Sequence, residues 1–148
     1  MTTTQAGNLS ESVVMSAYIK AGFLVAVPFG NACPYDLVVD NGARLFKIQV
    51  KTGWQRKGCL IYKGQRRIKD STRNAMRPYR EDEVDFFAIY FPIDDRIYVV
   101  PSNLVNGDGC LRLNPVLNGQ QKLVKMAVDY SWSRHVEQLR EDGFSKSV

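Results

Sequence analysis

Two alternating apolar runs around an Asn-Gly turn are the feature that most constrains how this chain folds. "YDLVVD" and "RLFKIQVKT" flank Asn41-Gly42, a dipeptide typical of tight β-hairpins. Alternation puts apolar side chains on one face of the second run and polar side chains on the other, namely Phe46, Ile48 and Val50 against Lys47, Gln49 and Lys51. The sequence therefore predicts an antiparallel hairpin whose first face is core and whose second face is available for function.

The hairpin register decides which residue lies opposite Asp36. Directly opposed residues share a face, and their numbers add up to a constant that the turn sets. A four-residue loop from Asn41 to Arg44 places Asp36 across from Gln49, whereas a two-residue turn at Asn41-Gly42 places it across from Lys47. In either register Asp36, Gln49 and Lys51 share one face.

The remaining patterns predict an α+β fold in one domain over residues 1–148. A helix is predicted over residues 9–21, with Asn8 and Ser10 as candidate caps and Gly22 as its stop. Further expected elements are strands at 23–29 and 58–64, a short helix around 70–76, a central hairpin made of "VDFFAIYF" and "RIYVVP", an edge strand at "CLRLN" and a C-terminal helix at "SWSRHVEQLRE". This order predicts an open mixed sheet flanked by helices.

Charge is concentrated in one part of the chain. The protein has a net charge of +5, yet residues 51–80 alone hold ten Lys or Arg and one Asp. Such a run is either a solvated face or a polyanion-binding surface, and duplex DNA, with one charge about every 1.7 Å, is the polyanion it fits best. No run approaches the ~20 apolar residues of a membrane span, and the N-terminus lacks a signal-peptide pattern, so we expect a cytoplasmic protein without a membrane partner.

Asp36, Gln49 and Lys51 together indicate phosphodiester hydrolysis. Gln49 and Lys51 lie about 6.6 Å apart along one strand and on one side of it. Mg²⁺ prefers oxygen ligands, so the Asp36 carboxylate and a backbone carbonyl such as that of Val50 can hold it when a substrate phosphate completes the shell. Lys51 would then lie near the attacking water or the developing negative charge. The competing interpretation is a cross-strand salt bridge between Asp36 and Lys51.

A helix that carries Glu11 is followed by Pro34-Tyr35-Asp36 and then by Gln49-Val50-Lys51. This arrangement resembles the signature of the PD-(D/E)XK nuclease superfamily. Over nearly the whole chain the likeness is to the group I intron-encoded homing endonucleases of this fold, of the cyanobacterial type. The resemblance implies a restriction-endonuclease-like core, in which Glu11 joins Asp36 in binding Mg²⁺ and Gln49 takes the place of an acid. The alternative for Glu11 is a first-turn acid favoured by the helix dipole.

The resemblance and the charge together imply a site-specific, Mg²⁺-dependent endonuclease of double-stranded DNA. Its DNA-binding residues are predicted in the basic segment, defined as residues 54–80: Arg56, Lys57, Lys63, Arg66, Arg67, Lys69, Arg73, Arg77 and Arg80. Arg66 and Arg67, at the tip of a β-ribbon, are the candidates for reading guanines. Cutting both strands requires two sites, so we expect a homo-oligomer, a dimer or a tetramer. A Holliday-junction-type nuclease of the same superfamily and a non-catalytic DNA-binding module are the alternatives.

Overall fold

The computed structural model describes residues 1–69, 74–114 and 124–144, and in them two helices enclose a run of strands in the chain. Helix α1 is Thr3–Lys20 and helix α2 is Trp132–Phe144. The strands are β1 Leu24–Ala26, β2 Leu37–Asp40, β3 Leu45–Thr52, β4 Trp54–Arg56, β5 Cys59–Tyr62, β6 Gln65–Lys69, β7 Asn74–Pro78, β8 Phe86–Phe91, β9 Arg96–Pro101 and β10 Gly109–Arg112.

The main sheet has five strands in the order β1-β2-β3-β8-β9. Strand β3 pairs with β8 in parallel and the other pairs are antiparallel, so the sheet is mixed and open. One face packs against both helices through a cluster that includes Val14, Val50, Val99 and Leu139. The expected hairpin of β8 and β9 is present, but only β8 is central, because β9 forms the edge of the sheet.

The hairpin of β2 and β3 adopts the register of the four-residue loop. Leu37 lies opposite Ile48, and the backbone N–H of Asp36 continues the ladder by donating to the Ile48 carbonyl at 2.9 Å. The buried Asn41 side chain selects this loop, because its Oδ1 accepts from the N–H groups of residues 43 and 44 while its Nδ2 donates to the Leu139 carbonyl. The loop therefore sets the register and also fastens the hairpin to α2.

Helix α1 begins earlier than the predicted residue 9. Thr2 caps it through a capping box in which Thr2 and Gln5 exchange side-chain to backbone bonds of 2.8 and 3.2 Å. The prediction of Asn8 and Ser10 as caps is wrong, because Ser10 is buried in the middle of the helix. The predicted end is confirmed, since Gly22 takes a φ of 96° just beyond it.

The basic segment folds into small sheets, which the sequence did not predict in full. Strands β4 and β5 form a hairpin that pairs with β10, and β6 pairs with β7 as a separate two-stranded ribbon. The predicted short helix around residues 70–76 is wrong where it can be compared, because residues 74–76 lie in β7; residues 70–73 fall outside the described ranges. The strand predicted at 58–64 is confirmed as β5, but β4 and β10 are its partners and not the strand that carries Lys51.

The second face of the main sheet is covered partly by the β10-β5-β4 sheet. Ile89, Phe91 and Val100 from the main sheet pack there against Leu60 and Leu111. Lys47, Gln49 and Lys51, on the polar side of β3, are only half-buried. None of the helices in the described ranges is long and apolar enough to cross a membrane.

Candidate active site

The carboxylate of Asp36 lies at the edge of β3, where β2 has ended. Strand β2 starts at Leu37, but β3 continues to Thr52, so the next outward N–H of β3, that of Val50, has no strand partner. Asp36 Oδ2 accepts this N–H at 2.9 Å. The aspartate therefore completes the ladder of β3, which fixes its side chain beside the strand that carries Gln49 and Lys51.

Glu11 is brought to the same edge by a contact between α1 and the end of β3. The Ser10 hydroxyl donates to the Ala6 carbonyl at 3.0 Å, so the Thr52 hydroxyl donates to Ser10 Oγ at 2.5 Å. Glu11 follows Ser10 and belongs to the middle of α1, which rules out the alternative of a first-turn acid. The helix thus presents Glu11 near Asp36, whose charge acts on it.

Lys51 projects from β3 on the polar face and contacts an aromatic ring. Its Nζ donates to the Tyr79 hydroxyl at 3.1 Å and lies 5.0 Å from the centroid of the Tyr79 ring. In the described part of the chain no carboxylate lies within ion-pair distance of Lys51, so the alternative of a salt bridge to Asp36 is not formed. The ammonium and the carboxylate still influence each other.

The pKa values of the three charged residues record a crowded, partly dehydrated cluster. Burial raises the pKa of Asp36, against the effects of the Val50 N–H and the Lys51 charge. Burial also raises the pKa of Glu11, and the nearby Asp36 carboxylate adds to the rise. Burial lowers the pKa of Lys51, which Asp36 opposes. Each shift reflects first a charged group held partly out of water.

The oxygen donors present fit a hard divalent cation. The Asp36 carboxylate lies close enough to Glu11 to disfavour the charge of Glu11, and a cation bound by both carboxylates would remove that cost. The side-chain Nε2 of Gln49 donates to the Val50 carbonyl at 3.3 Å, which engages one of the two lone pairs of that oxygen. Among the described residues no three His, Cys, Asp or Glu side chains cluster, so the acidic donors here are this pair.

Two of the predicted DNA-binding arginines are engaged within the protein. Arg66 and Arg77 face each other across the ribbon, and both bind Glu83, at 2.9 and 2.6 Å. Arg66 also donates to the Ala32 carbonyl at 2.9 Å. These contacts lower the pKa of Glu83 to about 2, chiefly through the Arg77 hydrogen bond. Arg66 is therefore anchored at the base of the ribbon, whereas Arg67 at the next position is exposed. The prediction that both lie at the tip of a ribbon is wrong, because they pair with Arg77 and Met76 near its base.

The other predicted DNA-binding residues are mostly solvent-exposed. Arg56 and Lys57 lie at the β4 to β5 turn, Lys63 follows β5, and Arg80 follows the ribbon. The charge of Lys63 acts on Lys51, so at least this part of the basic segment borders the site. Arg73 lies outside the described ranges, and only the backbone of Lys69 is described.

Three positions that are not among the predicted site residues lie at or beside the site. Tyr79 accepts a hydrogen bond from Lys51, Glu83 lies just outside the basic segment and binds Arg66 and Arg77, and the charge of Asp108 acts on Lys51. No local pattern links any of them to Lys51 or to the ribbon, so spacing does not reveal their roles. His135 is buried in α2 and forms a 2.8 Å hydrogen bond with the Tyr18 hydroxyl, away from this site.

Comparisons with known proteins agree with this architecture. Residues 1–133 match the family model described as PD-(D/E)XK endonuclease. The fold is similar to that of the bacterial homing endonuclease I-Ssp6803I, with a TM-score of 0.76 at 23% identity over 100% of this chain and 99% of that one. A weaker likeness, with a TM-score of 0.44 at 17% identity, covers 72% of this chain and 83% of Hjc, a Holliday junction resolvase of Archaeoglobus fulgidus. No curated protein matches the chain.

The likeness to I-Ssp6803I spans both chains almost completely, and it shows a shared fold. The prediction of an α+β fold with a restriction-endonuclease-like core and an open mixed sheet is confirmed. The predicted resemblance to this nuclease superfamily is confirmed as well.

Proposed function

Since this chain belongs to the PD-(D/E)XK endonuclease family, we propose that it is a site-specific, Mg²⁺-dependent endonuclease of double-stranded DNA, similar to the homing endonucleases. Membership of the family makes it a nuclease, and nucleases of this family generally use divalent metal ions. The choice of Mg²⁺, the duplex substrate and the sequence specificity are the parts that we add.

The observation that carries this proposal is the meeting of three charged side chains at one strand edge. Asp36 is fixed to the backbone of β3 by the Val50 N–H, Glu11 arrives on α1, and Lys51 extends from the same strand. Two acids that repel each other favour a divalent cation, and an ammonium beside them favours a phosphate. Bound together, the cation and the phosphate would supply the charges that the cluster lacks.

In the proposed reaction the protein binds and orients the reacting groups. Asp36 and Glu11 would hold the cation, assisted by the Gln49 side chain and the Val50 carbonyl. When bound, Mg²⁺ supplies positive charge at the phosphate and lowers the pKa of a nearby water. Lys51 would donate hydrogen bonds to the attacking water or to a phosphate oxygen, so that its charge opposes the negative charge that grows in the transition state.

The exposed basic side chains around the site supply the proposed DNA-binding surface. Arg56, Lys57, Lys63, Arg67 and Arg80 are all solvent-exposed, so their side chains are available to neutralise phosphates. Arg66 and Arg77 would keep their bonds to Glu83 and position the ribbon, or exchange Glu83 for a phosphate on binding. We also propose that the active enzyme is a homo-oligomer, because a double-strand cut needs two sites.

A randomised duplex library tests the proposed function over many candidate target sequences at once. The library is incubated with the full chain and Mg²⁺, and newly formed DNA ends are ligated to adaptors and sequenced. We expect cleavage at a shared sequence by the wild type and a loss of at least about 100-fold in Asp36→Ala and in Lys51→Ala. Adding excess EDTA should abolish cleavage by the wild type.

Matched variants on the same hairpin provide the controls. Lys47→Ala removes a lysine from the same face of β3, and Asp40→Ala removes an aspartate from β2; both should retain cleavage. Equal activity of the wild type, Asp36→Ala and Lys51→Ala would contradict catalysis at this site. Preference for branched over linear duplexes would favour the Holliday-junction-type alternative, and salt-dependent binding without any cleavage would favour the non-catalytic module.

A further inference from the structure

Tyr79 lies between the ribbon and the proposed catalytic lysine. It follows the last residue of β7, and its hydroxyl is 3.1 Å from Lys51 Nζ. In the described residues no carboxylate pairs with Lys51, so the phenol oxygen is the side-chain acceptor that the structure gives to this ammonium. The position of the ammonium therefore depends on where the chain holds Tyr79.

Tyr79 is itself held from two directions. Its ring packs edge-on against Phe87, with centroids 5.0 Å apart and an interplanar angle of 84°, and Phe87 is fully buried in β8. On either side of it along the chain, Arg77 binds Glu83 through both terminal guanidinium nitrogens and the Arg80 N–H donates to the same carboxylate at 2.9 Å. The base of the ribbon and the main sheet thus jointly locate the Tyr79 hydroxyl.

A phenol at this position has a chemical advantage over a carboxylate. Burial raises the pKa of Tyr79 to about 12, so the group remains neutral at physiological pH. A neutral acceptor orients the ammonium without cancelling its positive charge, which stays available to a phosphate. A carboxylate in the same place would orient Lys51 equally well but would weaken its attraction for the phosphate.

We propose that Tyr79 is a positioning residue that holds Lys51 toward the scissile phosphate and links it to the ribbon formed by β6 and β7. This inference rests on the proposed function, because it concerns the same lysine and the same reaction. DNA that contacts the ribbon would then act on the same part of the protein that orients Lys51 through Tyr79. Tyr79 itself need not touch the substrate.

Tyr79→Phe tests this inference, because it keeps the ring against Phe87 and removes only the hydroxyl. The substrate is the duplex that the wild type selects from the randomised library, and cleavage is measured in single turnovers with saturating enzyme and Mg²⁺. We expect the cleavage rate to fall by roughly 10- to 100-fold, since a small misplacement of a reacting group has effects of that size. The Kd for the duplex in EDTA and the unfolding midpoint should stay close to those of the wild type.

Tyr90→Phe is the matched control, because it also removes a phenol hydrogen bond, the 2.8 Å bond to Asp95, from the core face of the neighbouring strand. It should cleave at the wild-type rate. A Tyr79→Phe rate within twofold of the wild type overturns the inference while leaving the proposed function intact. A wild type that cleaves no library sequence overturns both.

A double variant separates positioning from direct contact with DNA. If Tyr79 acts through Lys51, removing its hydroxyl from the Lys51→Ala variant should change the residual rate by less than about twofold. A full additional loss in that background would show that Tyr79 acts on the substrate by itself, and the positioning role would be wrong.

Discussion

Glu83→Gln is expected to loosen the ribbon and to change how stability depends on pH. The Glu83 carboxylate accepts four hydrogen bonds, from Arg66 Nη1 at 2.9 Å, from Arg77 Nη1 and Nη2 at 2.6 and 2.8 Å, and from the Arg80 N–H at 2.9 Å. A glutamine keeps the shape but removes the charge and leaves one oxygen as acceptor. The two arginines would then lose their common counter-charge.

The size of the effect follows from the pKa of Glu83. The contacts lower this pKa from 4.5 to about 2, and each unit corresponds to 1.36 kcal/mol of preference for the charged form, about 3 kcal/mol in all. The side chains of Glu83, Arg66 and Arg77 keep exposed fractions of 12%, 26% and 24%, so water screens part of this attraction. We therefore expect Glu83→Gln to lower the free energy of unfolding by about 2 kcal/mol at pH 7.

The sign of the pH dependence is fixed by the direction of the shift. Because the folded-state pKa of Glu83 lies below the unfolded value, its stabilising contribution is complete above pH 4.5 and is lost as the pH falls toward 2. Glutamine cannot titrate, so the stability difference between wild type and variant should shrink over that range. Urea unfolding followed by tryptophan fluorescence at pH 7, 4 and 3 measures the difference directly.

Glu81→Gln is the matched control, since Glu81 is an exposed acid two residues away with no ion pair among the described residues. It should change the free energy of unfolding by less than about 0.5 kcal/mol. The reasoning would be refuted if Glu83→Gln lowered the free energy of unfolding at pH 7 no more than Glu81→Gln does. It would also be refuted if Glu83→Gln lowered that free energy by the same amount at pH 3 as at pH 7. Hydrogen exchange of the β6 amides would show whether the loss is confined to the ribbon.

Three further outcomes are expected. Ser10→Ala should lower the free energy of unfolding by about 1–2 kcal/mol in urea titrations, because it leaves the Thr52 hydroxyl without its partner. Adding Thr52→Val should recover much of the loss. If the effects of the two substitutions simply add, this pairing is contradicted. Burial lowers the pKa of His135 from 6.5 to about 4. Between pH 7 and pH 4 the wild type should therefore lose about 3 kcal/mol more free energy of unfolding than His135→Gln. Equal losses in the two proteins over this pH range would disprove the expectation. Arg67→Gln should lower the salt slope of DNA binding by about 0.9, and an unchanged slope would remove Arg67 from the phosphate contacts.

Local periodicity predicted the part of the site that lies on one strand. Alternation alone placed Gln49 and Lys51 opposite the buried residues of β3, and the Asn41-Gly42 turn restricted Asp36 to two registers. The choice between those registers came from Asn41, whose side chain bonds both the loop and α2. The bond to α2 joins residues 98 positions apart, which no turn rule contains.

The basic segment shows where sequence reasoning was weakest. Charge density indicated a surface for a polyanion, but the ribbon of β6 and β7 has few apolar residues in alternation, so its strands were not recognised. The start of α1 was also missed, although the capping box of Thr2 and Gln5 is a local signal that is readable in the sequence. The first of these errors reflects a weak pattern, whereas the second reflects a cap that was overlooked.

The sequence by itself determined the fold class, the polar face of β3 and the charge that surrounds it, because a two-residue period and a run of arginines are properties of neighbours in the chain. Only the tertiary structure decided that Asp36 completes the edge of β3, that α1 delivers Glu11 through Ser10 and Thr52, and that Tyr79 and Glu83 connect the ribbon to Lys51. These contacts join segments that lie far apart in the chain. Their geometry depends on how the sheet and helices pack together, which local patterns do not encode.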